Sequence, residues 1–191
     1  MCKRIFYALN KAWINKEKLK NYLNDPHLQV NILLDLELST LKLEGIKVLV
    51  LDFDGVLSAF GEKIPRPELN EWLKSSVQTF GFGKVFILTN KPNEFRRLYF
   101  LEHFPGIEFI EVQRKKPYPD GLIQILQKVS IEPKELLMVD DRLLTGILAA
   151  VLVHAQAILV LKPWISWSHR PIAELFFIFL RTLEHVIFKK L

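Results

Sequence analysis

Five short apolar runs, residues 46–51, 85–88, 107–112, 136–139 and 157–161, punctuate the chain from residue 46 onward. Each is mostly apolar and too short for a stable helix, which is the signature of a strand covered on both faces. Between them lie segments 67–80, 93–104, 119–129 and 143–154, all long enough for helices. Strand and helix in strict alternation imply a parallel sheet with right-handed crossovers and helices on both faces, an α/β three-layer sandwich of about five strands. In such sheets ligands gather at the carboxyl ends of the strands, so the residues that follow each run are the ones to read for chemistry.

Local signals agree. Pro67 stands where a first-turn proline forfeits no hydrogen bond, and Glu68 suits the positive end of a helix dipole. Pro171 can begin a last helix to about residue 188, with Leu175, Phe176, Phe179, Leu180, Leu183 and Ile187 on a broad apolar face. The chain divides at Gly45 into a lead-in, 1–45, and a core, 46–191.

The net charge of +5 sits almost entirely in the first twenty residues, where Lys3, Arg4, Lys11, Lys16, Lys18 and Lys20 face only Glu17. Ile5, Leu9, Ala12 and Trp13 recur among these cations at helical spacing. A basic amphipathic helix of this kind either lies on an anionic membrane surface or packs on the domain with its lysines in water. No second basic stripe or base-stacking motif accompanies it, so nucleic acid is not an expected partner. Cys2 is the single cysteine and has no internal partner for a disulfide. No apolar stretch reaches the roughly 18 residues of a membrane span, and the opening residues do not read as a secretory signal, so a cytoplasmic protein is expected, peripheral on the inner membrane face where the basic helix meets lipid. His154, His169 and His185 read as surface or core histidines.

The first run leads into Asp52-Phe53-Asp54-Gly55. Residues two apart in extended chain point the same way, so both carboxylates would enter one site. Their repulsion is relieved by a divalent cation or by a proton on one of them. An ionised carboxylate can attack phosphorus and a protonated neighbour can donate to the leaving oxygen. The second run ends in Thr89-Asn90, a hydroxyl and an amide suited to phosphate oxygens; Lys115-Lys116 precedes Pro117 and the third helix; and the fourth run ends in Asp140-Asp141, placed for a further metal ligand.

These four elements, in this order, resemble the HAD (haloacid dehalogenase-like) superfamily over about residues 46–161. The resemblance implies a Rossmannoid HAD-like fold and a magnesium-dependent phosphoric monoester hydrolase. Asp52 would be the nucleophile that forms an aspartyl-phosphate, and Asp54 the general acid and later base. Thr89 and Asn90 would bind the phosphoryl group, and Lys116 would be the family lysine with Lys115 adjacent to it. Mg2+ would be held by Asp52, the Asp54 backbone carbonyl and an acid of the Asp140-Asp141 pair. Relatives usually carry Gly-Asp at that pair, so Asp141 aligns with the ligand and Asp140 replaces the glycine. Many relatives also have an acid five positions later, where this chain has Gly146.

The gaps from Asp54 to Thr89 and from Thr89 to Lys116 are too short for the cap domain that often buries small substrates. A large substrate, a membrane lipid or a neighbouring subunit would then complete the site. Asp35-Leu36-Glu37-Leu38, Leu41 to Lys47, Lys116-Pro117 and Val139 to Thr145 resemble the capless class III branch that includes phosphatidylglycerophosphate phosphatases. The resemblance implies a phosphomonoester substrate, here a phospholipid, and peripheral contact with an anionic membrane. Two other readings stand beside it: a soluble sugar-phosphate phosphatase closed by oligomerisation, and a phosphatase-like binding protein with little turnover.

Overall fold

The structure is a computed structural model that describes residues 2–167 and 171–190, so His169 lies outside the described residues. Six parallel strands form one sheet in the order β1-β6-β5-β2-β3-β4: β1 Gln29–Val30, β2 Val48–Leu51, β3 Val85–Ile87, β4 Ile107–Phe109, β5 Leu136–Asp140 and β6 Gln156–Val160. The helices are α1 Cys2–Ile14, α2 Lys16–Asn24, α3 Leu38–Leu43, α4 Asn70–Phe80, α5 Glu94–His103, α6 Asp120–Val129, α7 Leu148–Leu152 and α8 Pro171–Lys190. The fold is the expected α/β sandwich with one strand more. That strand, β1, is two residues long, too short to carry a periodic signal, and it pairs with β6 at the sheet edge.

The pleat divides the strands between two cores. Val48, Val50, Phe86, Leu136 and Met138 face Leu19, Tyr22 and Leu23 of α2, Leu122 and Ile125 of α6 and Ala149 and Ala150 of α7. Leu49, Leu51, Val85, Ile87, Leu137 and Val139 face Leu41 of α3, Leu73 and Val77 of α4 and Phe100 of α5. Alternate side chains pointing to opposite faces is the expected consequence of extended chain, and all of these strand residues are buried. The lead-in 1–45 is built into these cores: α2 packs in the first, Leu33, Leu36 and Leu41 in the second, and β1 extends the sheet.

Element edges differ in instructive ways. Pro67 opens a 3-10 turn, Pro67–Leu69, that runs into α4. The strand expected over 107–112 ends at Phe109, and Leu143–Ile147 forms a turn of π-helix ahead of α7.

The amphipathicity of α8 is inverted. Its inward face is Glu174, Phe177, Arg181, Glu184 and Phe188, with Glu174 1% and Glu184 4% exposed, whereas Phe179 is 60% exposed and Ile172, Leu175, Phe176, Leu183 and Ile187 are exposed with it. The apolar face seen in the sequence therefore points away from the core. On α1 the same holds in smaller measure: Ala8 and Ala12 are buried while Ile5, Phe6, Leu9, Trp13 and Ile14 are exposed.

Candidate active site

The register brings the acids together. Leu51 pairs with Val139 across β2 and β5, and the Asp52 N–H donates to the Val139 carbonyl at 2.9 Å, so Asp52 and the Asp140-Asp141 pair leave adjacent strands at the same level. Asp52, Asp140 and Asp141 each present a carboxylate oxygen within 4.8 Å of the others, and all three are buried. Lys116 lies against them from the loop before α6, with Nζ 3.0 Å from Asp52 Oδ1 and 2.6 Å from Asp140 Oδ2. Of the two adjacent lysines, Lys116 is the buried one; Lys115 lines the cavity above.

Asp140 and Asp141 are held differently. Asp140 accepts from Lys116, from Arg142 N at 2.9 Å, Thr145 Oγ1 at 2.9 Å and Gly146 N at 3.1 Å, so its oxygens are engaged by the protein itself. These bonds gather the first turn after β5 around one side chain, where the backbone widens to a π-turn. Asp141 instead faces the cavity and accepts from Arg181 Nη1 at 2.6 Å, across forty residues of sequence. Close packing above it requires Gly55: a Cβ there would lie 2.6 Å from Asp141 Oδ2, and its φ of +92° suits glycine.

Asp54, the second acid of the opening motif, enters the same cavity but is already partnered. Arg96 Nη2 and Nη1 donate to its two oxygens at 2.8 and 3.3 Å, and Gly61 N donates at 3.0 Å. Arg96 is set on the first turn of α5 by Asn93, whose side chain caps Phe95 N and Arg96 N. Any proton transfer by Asp54 therefore requires this pair to open. Thr89 is buried and its Oγ1 accepts from Lys91 N at 3.1 Å, which leaves the hydroxyl proton available to another acceptor. Asn90 Nδ2 donates to the Lys116 carbonyl at 3.2 Å, fixing the loop that carries the lysine.

The cavity onto which Asp52, Asp54, Asn90 and Asp141 open has a volume of about 200 Å³ and is lined also by Phe60, Arg142 and Trp164, and by Glu174, Phe177 and Arg181 of α8, while Thr89, Lys116 and Asp140 lie behind its lining. Sequence reading did not find Arg96, Arg181, Glu174 or Glu184. The positions of α8 carried one usable signal, Glu174, Arg181 and Glu184 spaced seven and three apart, and so on one face, inside a largely apolar helix.

Three carboxylates against the charges of Lys116 and Arg181 leave one negative charge in excess, in a buried site. Burial pushes the Asp52 carboxyl well above the usual range, Lys116 opposing and Asp140, Asp141 and Asp54 adding to it. Burial and the neighbouring Asp140 lift Asp141 to about 7, against the pull of Arg181 and Arg142. Burial alone would depress the Lys116 ammonium, but Asp140 and Asp52 outweigh it and hold it above the ordinary lysine value. A divalent cation fits this donor set: oxygen ligands only, clustered and with excess negative charge.

A pH dependence follows. An acid whose folded value is raised binds its proton in the folded state at a pH where the unfolded chain has lost it. Its stabilising contribution is complete below the ordinary carboxylate range and is lost as pH rises toward about 7. Mg2+ requires the deprotonated form, so the rise in melting temperature that Mg2+ produces should grow between about pH 6 and about pH 8, with proton release on binding. Thermal unfolding with and without Mg2+ across that range measures it, and a shift independent of pH would contradict the assignment.

Comparison with known proteins bears on the fold. A HAD family enzyme from Bacteroides thetaiotaomicron, solved as a magnesium complex, superposes with a TM-score of 0.50 at 16% identity, covering 67% of this chain and 99% of that one. A protein of uncharacterised function from Listeria monocytogenes gives 0.50 at 16% identity, covering 65% and 84%. A HAD-superfamily hydrolase of subfamily IA from Geobacter sulfurreducens gives 0.49 at 16% identity, covering 69% and 96%. No curated protein sequence matches the chain. Residues 4–154, most of the chain, match the family of haloacid dehalogenase-like hydrolases, a span that takes in strands β1 to β5 and the acid cluster at their carboxyl edge, and the protein belongs to that family.

Proposed function

We propose that this hydrolase is a magnesium-dependent phosphomonoesterase that works through an aspartyl-phosphate on Asp52 and acts on a phospholipid monoester at an anionic membrane surface. The observation that carries the chemistry is the convergence of Asp52, Asp140 and Asp141 on one point beside the buried Lys116. Mg2+ held by Asp52, Asp141 and the Asp54 backbone carbonyl, with Asp140 beside them, would neutralise the carboxylates and polarise the phosphoryl oxygens.

The residues divide the work as follows. An Asp52 carboxylate oxygen attacks phosphorus; the new oxygen–phosphorus bond forms as the bond to the leaving alcohol breaks. Asp54, released from Arg96, gives that alcohol its proton and then takes one from the water that hydrolyses the acyl phosphate, which returns Asp52 and inorganic phosphate. Thr89 donates its hydroxyl to a phosphoryl oxygen. Asn90 holds the Lys116 loop, and Lys116 offsets the charge that builds on the transferred group.

The lipid part of the reading rests on the outer surface. No helix among the described residues is long and apolar enough to cross a membrane. The outward faces of α1 and α8 nevertheless expose large apolar side chains, α1 carries lysines among them, and both helices contribute to the cavity lining through Arg4 and through Phe177 and Arg181. Exposed apolar side chains beside cations on the outer faces of helices that line a phosphate site suit a substrate whose head enters while its chains stay in the bilayer. With α8 lining the cavity, a capless core of this kind needs no neighbouring subunit to cover it.

Phosphate release from a panel of phosphomonoesters, with phosphatidylglycerophosphate in mixed micelles among them, tests the reaction. Binding to anionic vesicles tests the surface. Wild-type protein should pellet with them, and the double replacement Phe6→Asp and Phe179→Asp should cut the bound fraction roughly tenfold without altering hydrolysis of a small aryl phosphate. Equal rates on soluble and lipid substrates, together with no vesicle binding, would remove the lipid from the proposal.

A further inference from the structure

α8 is fastened to the core at both sides of the site by contacts that do not involve Arg181. Toward its start, Glu174 Oε1 accepts from Phe60 N and Ser166 N, both at 3.2 Å, and the Phe177 ring lies 4.0 Å from the Phe60 ring. Toward its end, Glu184 pairs with Arg142 and accepts from Leu143 N at 3.0 Å, while Phe188 joins the core. The helix is thus anchored before and after Arg181, so holding α8 in place does not explain an arginine at that position.

Arg181 lines the cavity and gives Nη1 to Asp141 Oδ2. Its second terminal nitrogen, Nη2, is also buried and has no hydrogen-bond partner among the described residues. A buried donor without an acceptor is costly, and the cost is repaid when a ligand supplies the oxygen. The guanidinium is a rigid two-pronged fork suited to phosphate, and one prong is already fixed within the acid cluster that contains Asp52.

We propose that Arg181 is a phosphoryl-binding residue, donating Nη2 to an oxygen of the phosphoryl group bound at Asp52, and that α8 is thereby a cover supplied by the chain itself that completes the site with this one cation. The proposal rests on the phosphomonoesterase reading for its ligand. It differs from a purely structural role, in which Arg181 only neutralises Asp141.

Calorimetric titration of the full-length protein with Mg2+ alone, and then with inorganic phosphate in saturating Mg2+, separates the two. Phosphate should bind Arg181→Gln at least about tenfold more weakly than wild type, with Arg181→Lys in between because a lysine restores the charge but not the fork. Mg2+ alone should bind Arg181→Gln no more weakly than wild type, since the competitor for Asp141 is gone. Phosphate affinity within about twofold of wild type in Arg181→Gln would overturn the proposal, as would a wild-type protein that binds Mg2+ but no phosphate. Should Arg181→Gln fail to fold, Arg181→Lys alone decides, unchanged phosphate affinity counting against the proposal. Because the readout is binding, a protein that holds phosphate through Arg181 yet hydrolyses no phosphomonoester would refute the catalytic reading and leave this one standing.

Discussion

On the proposed mechanism Asp52→Asn should abolish Mg2+-dependent phosphate release, by on the order of 10⁴-fold or more, because an amide would not form the acyl phosphate and no other carboxylate at the site is free to replace it. Asp140 is engaged by four protein donors, Asp54 by Arg96, and Asp141 by Arg181. The substitution is isosteric, so packing at this buried position is retained. Its effect on stability has a definite sign. Burial raises the Asp52 carboxyl well above its ordinary value, so ionising it in the ion-free folded protein is costly, and the amide has no such charge to form. The Mg2+-free variant should therefore melt no lower than wild type at about pH 8, while the stabilisation that Mg2+ gives should shrink. Steady-state phosphate release and melting curves from one preparation check both halves. A variant that keeps its activity would show that Asp52 is not the nucleophile; one that loses activity by unfolding would show instead that the Lys116 ion pair is needed for the fold.

How much of this was legible in the sequence depends on the distance over which each feature is encoded. Asp52, Thr89, Lys116 and the Asp140-Asp141 pair each terminate or follow a local apolar run, and the parallel topology then brings the strand ends to one edge. The contacts that tune them are of another kind. Arg96 reaches Asp54 over 42 residues and Arg181 reaches Asp141 over 40, and neither arginine sits in a segment whose pattern announces a site. α8 is amphipathic, as its periodicity implies, but the rule that the apolar face meets the core fails where the helix lies over a charged cavity, since Glu174, Arg181 and Glu184 find their partners inside. β1 is invisible for a simpler reason, because two residues carry no period.

Gly146 gives the most exacting test, because the sequence presents it as a missing acid and the structure shows why an acid cannot stand there alone. A Cβ on Gly146 would overlap Asp140 Oδ2, with Asp140 Cβ and Cγ at 2.7 Å. The carboxylate of Asp140 fills the space that a side chain at 146 would enter, and it meets there the ammonium of Lys116. Gly146→Asp should therefore destabilise the fold by about 3–5 kcal/mol, adding overpacking to a further buried carboxylate with no cation of its own. Activity should fall with it, since Asp140 and Lys116 both shift. The double replacement Asp140→Gly and Gly146→Asp approaches the same point from the opposite side: it restores the Gly-Asp pair usual in relatives, returns one acid to Lys116 and leaves the carboxylate count unchanged. Most of the lost stability should return, to within about 1–2 kcal/mol of wild type once the glycine introduced at the end of β5 is allowed for, so the pair should couple by about 2 kcal/mol or more in urea denaturation. If the double variant is as unstable as Gly146→Asp alone, the two positions do not exchange one carboxylate, and the contacts of Asp140 with Arg142, Thr145 and Gly146 serve the local backbone rather than the lysine.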